Sequence, residues 1–239
     1  MLIFIFAGLI KGVVGMGLPT ISLALLAIFL DLSTAISLII IPSFVTNIWQ
    51  AINGNYLKNL MREFWLFFLL SGFSVFIGTY LFFYINSNLT LSLLGALIII
   101  YGFFSLKGRI FKIRGTRHFL MNPIIASLNG ILTGLTGSLI VPGVFYFQSL
   151  ELQKKKFIQA LGVHFSILSL CLGISTISIT AFDDEIFFLS LASCVSAFIG
   201  MLIGGFILRS IDEQKFKKIF LYMLIVLGTL IILKSIIFV

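Results

Sequence analysis

Three stretches of this chain are apolar almost throughout: Phe64 to Ile85, Ile186 to Leu208, and Phe220 to Val239, where Lys234 is the one charge. Each is about as long as the roughly 20 residues that a helix needs to cross a bilayer core. A closed barrel also satisfies its backbone in lipid, but its strands alternate apolar and polar residues over roughly ten positions. These runs show no such alternation and read as helices. Charged residues make up 10% of the chain and hydrophobic ones 60%. Soluble domains carry about 25% charge, so too little polar surface remains here to cover a soluble core. The expected class is an all-α polytopic membrane protein.

Clear spans fall at about 34–52, 64–85, 89–106, 157–180, 186–208 and 217–238. The N-terminal run lacks a preceding basic region, since Lys11 comes after its first apolar residues, and it reads as part of the mature chain rather than a signal peptide. Cys171 and Cys194 both lie inside apolar spans and read as small packing residues, without metal or disulfide spacing. The net charge of +8 sits in the loops between spans, where membrane topology accounts for it without nucleic acid.

Segments 1–31 and 119–149 fit no single helix and are too short for two full crossings. Each is interrupted by glycine and proline, and they resemble each other. Gly8-Leu-Ile-Lys11-Gly12-Val-Val-Gly15 matches Gly130-Ile-Leu-Thr133-Gly134-Leu-Thr-Gly137 at an offset of 122 residues, which also aligns Phe76-Ile77-Gly78 with Phe198-Ile199-Gly200. This predicts two halves, 1–106 and 118–239, joined by a basic linker at 107–117.

The positive-inside rule then selects a topology. In a plain eight-helix serpentine, Lys58, Arg62, Lys107, Arg109, Lys112, Arg114 and Arg117 face one side. Lys154, Lys155, Lys156, Arg209, Lys215, Lys217 and Lys218 face the other, so there is no bias. If 1–31 and 119–149 are instead re-entrant hairpins, all fourteen share one side, and Asp31 with Asp183-Asp184-Glu185 takes the other. Each half becomes one re-entrant broken-helix hairpin plus three transmembrane helices. Three is odd, so the halves are inverted relative to each other, with both termini extracytoplasmic. Inverted repeats with broken helices are a transporter architecture whose substrate site lies near the midplane.

The hairpin tips read Gly15-Met16-Gly17-Leu18-Pro19-Thr20 and Gly137-Ser138-Leu139-Ile140-Val141-Pro142-Gly143. Proline suits a first helical turn, so returning half-helices are expected to begin near Pro19 and Pro142. Two N-termini facing across a pseudo-two-fold axis would offer N–H groups and positive dipole ends to an anion, with Thr20 and Ser138 adding hydroxyls. Gly8, Gly12, Gly130 and Gly134 read as close helix-packing faces.

Polar residues within spans are the other candidates: Asn47 and Gln50, then His164 with Ser166 and Ser169. The repeat offset pairs Asn47 with Ser169 and Pro42 with His164. For these residues, interhelical bonding stands beside a substrate role. Lys11 either attracts anions or snorkels to the surface. The expected substrate site is Gly15, Met16, Gly17, Thr20, Asn47, Gln50, Gly137, Ser138, His164 and Ser169.

All eight acidic residues lie in loops or at span ends, which argues against a buried carboxylate proton relay. An exporter of anions needs no coupling ion, because an inside-negative potential already expels them by about 2.3 kcal/mol per charge per 100 mV.

The paired glycine segments, Phe29-Leu30-Asp31-Leu32, the stretch Ile41-Pro42-Ser43-Phe44-Val45-Thr46-Asn47-Ile48-Trp49-Gln50 and the two-half layout together resemble the TauE/SafE family of sulfite exporters. The resemblance implies a bacterial inner-membrane transporter of sulfite, sulfoacetate or related organosulfur anions. Two departures bear on the substrate: the second tip is sparser in glycine than is usual in the family, and His164 stands where a small polar residue such as threonine is expected. The expected partners are a small anionic substrate and the lipid bilayer, with a homodimer as an option, no nucleic acid and no cofactor. A channel-like anion permease and a non-transporting assembly partner are the alternatives. An intramembrane enzyme is disfavoured, because His164 has no carboxylate or second histidine within the spans, and His118 lies outside them, beside the linker.

Overall fold

The greater part of each of the three long apolar runs lies in a helix, and polar residues set where those helices begin. The computed structural model describes residues 1–108, 116–177, 184–207 and 212–237. Most of the basic linker, with Arg109, Lys112 and Arg114, lies outside the described residues, as do Asp183, Arg209 and the side chains of Arg117 and His118. Among the described residues the chain forms ten helices and no strand. They are α1 Leu2–Val14, α2 Leu18–Phe29, α3 Leu32–Ile52, α4 Leu57–Phe82, α5 Ser87–Lys107, α6 Thr116–Thr136, α7 Gly143–Ser149, α8 Lys154–Ile177, α9 Asp184–Ile207 and α10 Glu213–Ile237. Six of these (α3, α4, α5, α8, α9 and α10) are long and apolar enough to cross a membrane. With 13 and 12 residues, α1 and α2 reach about 20 Å at 1.5 Å per residue, short of the roughly 30 Å hydrocarbon core.

The spans begin earlier than the apolar runs suggest, because capping and amphipathic turns add polar residues. Asp31 accepts from the Thr34 N–H at 2.8 Å and caps α3. Asn86 caps α5 through the Asn88 N–H at 2.8 Å. α4 starts at Leu57 with two amphipathic turns, Leu60 buried and Lys58, Arg62 and Glu63 exposed, and then kinks at Phe64 (φ −116°, ψ 17°) where the apolar shaft begins.

In two helix pairs several glycines along one face press backbone against backbone. In α1 against α9, a methyl group at Gly8 would overlap the Ala197 carbonyl, and one at Gly12 the Met201 carbonyl; Gly200 and Gly204 are pressed likewise on Ile5 and Leu9. In α6 against α4, Gly130 and Gly134 meet the Ser71 and Val75 carbonyls, and Gly78 meets Ile131. The Gly200–Leu9 and Gly78–Ile131 contacts are related by the 122-residue offset of the sequence repeat. Such close approach lets dispersion and Cα–H contacts hold helices together where lipid gives no hydrophobic drive.

α3 and α8 are the most enclosed of the six spans. They cross antiparallel, with Ala51 against Gly162 and Ile40 against Gly173. The Gln50 side-chain amide donates to the Ile158 carbonyl at 2.6 Å, and that of Gln159 donates to the Ala51 carbonyl at 2.7 Å. α5 and α10 meet at Gly95 and Gly228, each against the other's carbonyl.

Charged contacts mark which helix ends lie together. Lys156 pairs with Glu63 at 2.7 Å and Lys154 pairs with Glu213, so the N-terminal ends of α4, α8 and α10 lie together. Pairs as exposed as these contribute at most about 1 kcal/mol; their value here is as locators. At the other end Lys234 of α10 donates to the Ala27 and Leu30 carbonyls where α2 stops, at 2.9 and 2.8 Å. Outward faces carry Trp65, Leu69 and Phe73 on α4, Val195 and Leu202 on α9, and Tyr222 and Val226 on α10, all exposed. Apolar exposure on this scale suits lipid rather than water.

Candidate functional site

The chain breaks at both glycine-rich tips. α1 stops at Val14, and Gly15 (φ 79°) caps it by bonding its N–H to the Lys11 carbonyl at 2.8 Å. Gly17 (φ 113°) is the N-cap of α2, with Pro19 in the first turn. Both positive φ values need glycine. Having no side chain, Gly17 offers no cap to α2. Ile158 of α8 lies over Gly15, and Phe220 of α10 lies over Gly17. Met16 is buried, its sulfur accepting from the Tyr101 hydroxyl at 3.2 Å. Thr20 is buried with its hydroxyl unpartnered.

The second break is built differently. α6 ends at Thr136 and Gly137 turns the chain at φ 73°, packed on Ile36 of α3 and Leu23 of α2. The contacts Gly15–Ile158 and Gly137–Ile36 again differ by the repeat offset. Ser138 is buried; its N–H donates to Thr136 Oγ1 at 3.2 Å and its carbonyl accepts from Thr133 Oγ1 at 2.9 Å. Pro142 is the N-cap of α7, which is only seven residues long. The Gly143 N–H donates to Asn129 Oδ1 at 2.5 Å, and the Val144 N–H donates to the Ile140 carbonyl at 2.8 Å. The leading N–H groups of this short helix are therefore already used, which makes the two returning helices unequal.

Two polar clusters flank the breaks. In the first, Lys11 is 2% exposed. Its ammonium donates to Thr46 Oγ1 at 3.2 Å and to Asn47 Oδ1. Thr46 donates its own hydroxyl hydrogen bond to the Pro42 carbonyl at 2.7 Å, so its oxygen is free to accept from Lys11. Of the two readings of Lys11, snorkelling is excluded by this burial. Asn47 is also buried, with Nδ2 unpartnered. Ser43 and Ser169 are buried with unpartnered hydroxyls too. Asn47, Ser43 and Ser169 all lie in the central stretch of the α3–α8 crossing, between the Ala51–Gly162 and Ile40–Gly173 contacts.

In the second cluster the fully buried His164 meets Asn129 Nδ2 through Nε2 at 3.2 Å. Asn129 Nδ2 can only donate, so Nε2 accepts and Nδ1 holds the ring proton. Nδ1 has no partner. Phe67, Phe147 and Phe165 surround the ring at centroid distances of 5.1, 5.5 and 5.8 Å. Gln50 belongs to neither cluster, because its amide is spent tying α3 to α8. Among the described residues no group of three or more His, Cys, Asp or Glu is placed to hold a metal ion.

The match to a family model extends across both breaks and both clusters. The model is that of the sulfite exporter TauE/SafE family, and it matches residues 1–231. The chain belongs to this family. No curated protein and no solved structure matches it. Membership of the TauE/SafE family, with the six apolar spans, makes this a multi-pass membrane protein of a transporter family.

Sequence reasoning placed Asn47, Gln50, His164, Ser169 and the tip residues in one group. The fold sets Asn47 with Lys11 and Thr46, and His164 with Asn129. Asn129 carried a usable signal, a carboxamide within an apolar segment.

Proposed function

We propose that this TauE/SafE protein exports small sulfur-containing anions, such as sulfite, sulfoacetate or a related organosulfonate, across the cell inner membrane. The path runs through a midplane site between two inverted repeats. The observation that carries this reading is a set of buried, unpartnered donors on α2, α3 and α8: Thr20, Ser43, Asn47 Nδ2, His164 Nδ1 and Ser169. Buried polar groups are normally satisfied, and a ligand rich in acceptor oxygens would satisfy these. Every aspartate and glutamate among the described residues is away from the core.

The inverted topology draws support from contacts within the bundle. In a plain serpentine the first turns of α4 and α8 would sit on opposite sides of the membrane, whereas Lys156 pairs with Glu63. The offset-related glycine contacts of α1 with α9 and α6 with α4 favour two equivalent halves. In this topology α1–α2 enters and returns on the outside and α6–α7 on the inside, the linker 107–117 is cytoplasmic, and both termini are outside. The site residues are Gly15, Met16, Gly17, Thr20, Asn47, Gly137, Ser138, His164 and Ser169, with Gln50 holding the α3–α8 crossing beside them.

Counterflow in proteoliposomes tests the substrate. Vesicles loaded with unlabelled sulfite, sulfoacetate or sulfate are given labelled sulfite outside. Transient accumulation driven by sulfite or sulfoacetate, reduced in Ser138→Ala and His164→Ala, is the expected result. Absence of exchange with every loaded anion would remove the sulfur-anion reading.

A further inference from the structure

Lys11 is the one Lys, Arg, Asp or Glu side chain buried within the described residues, and it has no carboxylate partner. Its hydrogen-bonding partners are the neutral oxygens of Thr46 and Asn47. A buried ammonium is costly unless an anion accompanies it, and here no side chain supplies one. Two of its three N–H donors are used, which leaves the third. Asn47 turns its carbonyl oxygen to Lys11, so Nδ2 points its donors elsewhere and finds no acceptor. Lys11 lies one turn before the Gly15 break, on the same helix. The unpartnered hydroxyls of Ser43 and Thr20 lie on the two helices that follow.

We infer that Lys11 is the fixed positive charge of the substrate site and binds the anionic head directly. Thr46 and Asn47 orient the ammonium, while Asn47 Nδ2 offers a second donor to the same head. This rests on the anion-transport reading and names the group that recognises the charge. It also makes the site unsymmetrical, since the repeat partner of Lys11 is the neutral Thr133. With one charge to neutralise, the site takes a head carrying one negative charge, such as a sulfonate or hydrogensulfite.

The decisive variant is Asn47→Asp, which sets a carboxylate against Lys11 and supplies internally what the substrate would bring. The full chain, purified in detergent, is titrated with sulfite, methanesulfonate and chloride while its thermal unfolding is followed. The wild type is expected to be stabilised by sulfite and methanesulfonate. Asn47→Asp is expected to unfold no earlier than wild type without ligand and to show no shift with either anion. Lys11→Gln is expected to need about tenfold more sulfite for the same shift, the loss of one charged hydrogen bond, and Lys11→Arg to recover part of it. Full sulfite shifts in a folded Asn47→Asp or Lys11→Gln would overturn the role of Lys11. If chloride alone stabilises the wild type and Asn47→Asp abolishes that shift, Lys11 remains the anion site and the sulfur reading fails. If no anion stabilises the wild type, both fail.

Discussion

Asn129 holds two buried groups at once, accepting from the Gly143 N–H and donating to His164 Nε2. Replacing it with leucine leaves both without partners among fully buried neighbours. Asn129→Leu is therefore predicted to cost about 1–3 kcal/mol, read as a lowered unfolding midpoint in detergent. A midpoint equal to wild type would mean that neither bond holds the second break in place. Legibility at this scale depended on whether the residue type alone fixes the geometry. Gly15, Gly17 and Gly137 were readable because positive φ demands glycine. Lys11 was not, because sequence places it within a helix without telling whether its ammonium reaches the surface or is held by Thr46 and Asn47. Asn129 was hidden for a similar reason: its partners lie 14 and 35 residues away.

Helix–helix contact is where the glycines act. Gly200→Val drives a side chain into the Ile5 carbonyl and the Leu9 backbone, and is predicted to destabilise by about 1–3 kcal/mol as α1 is pushed off α9. Gly205 lies on the same helix with open space around its missing Cβ. Gly205→Ala is predicted to stabilise by up to about 1 kcal/mol, through helix propensity alone. Thermal melts of the pair check the contrast, and equal effects would contradict the packing. The small-xxx-small spacing of Gly8 with Gly12 and Gly130 with Gly134 made the α1 and α6 sides of such contacts legible in advance. Where α4 begins was not, since hydropathy sees the apolar shaft from Phe64 and misses the amphipathic turns from Leu57. Nor was the brevity of α7, which ends at Ser149 before the Leu150–Gln153 turn and the lysine-led start of α8.

For the whole molecule, the charge distribution already favoured one sidedness over a serpentine, and the ion pairs Lys154–Glu213 and Lys156–Glu63 bring the same basic turns together. Single cysteines at Lys58 and Lys155 are accordingly predicted to react with an impermeant maleimide from one side of the membrane, and one at Asn88 from the other. Labelling of Lys58→Cys and Lys155→Cys from opposite sides would restore the serpentine. The all-helical class was legible because lipid leaves few ways to satisfy a backbone. The separation of a lysine cluster from a histidine cluster was not, because it depends on which side chains meet across α1, α3, α6 and α8. The central claim is that this bundle moves an anion bearing net negative charge. The most direct measurement is uptake of radiolabelled sulfite into proteoliposomes as the membrane potential is stepped with potassium and valinomycin. An inside-positive potential of 100 mV is predicted to raise accumulation by up to about fiftyfold per charge moved, from about 2.3 kcal/mol, and an inside-negative one to depress it. Sulfite uptake that ignores the potential, or no uptake above protein-free vesicles, would contradict it.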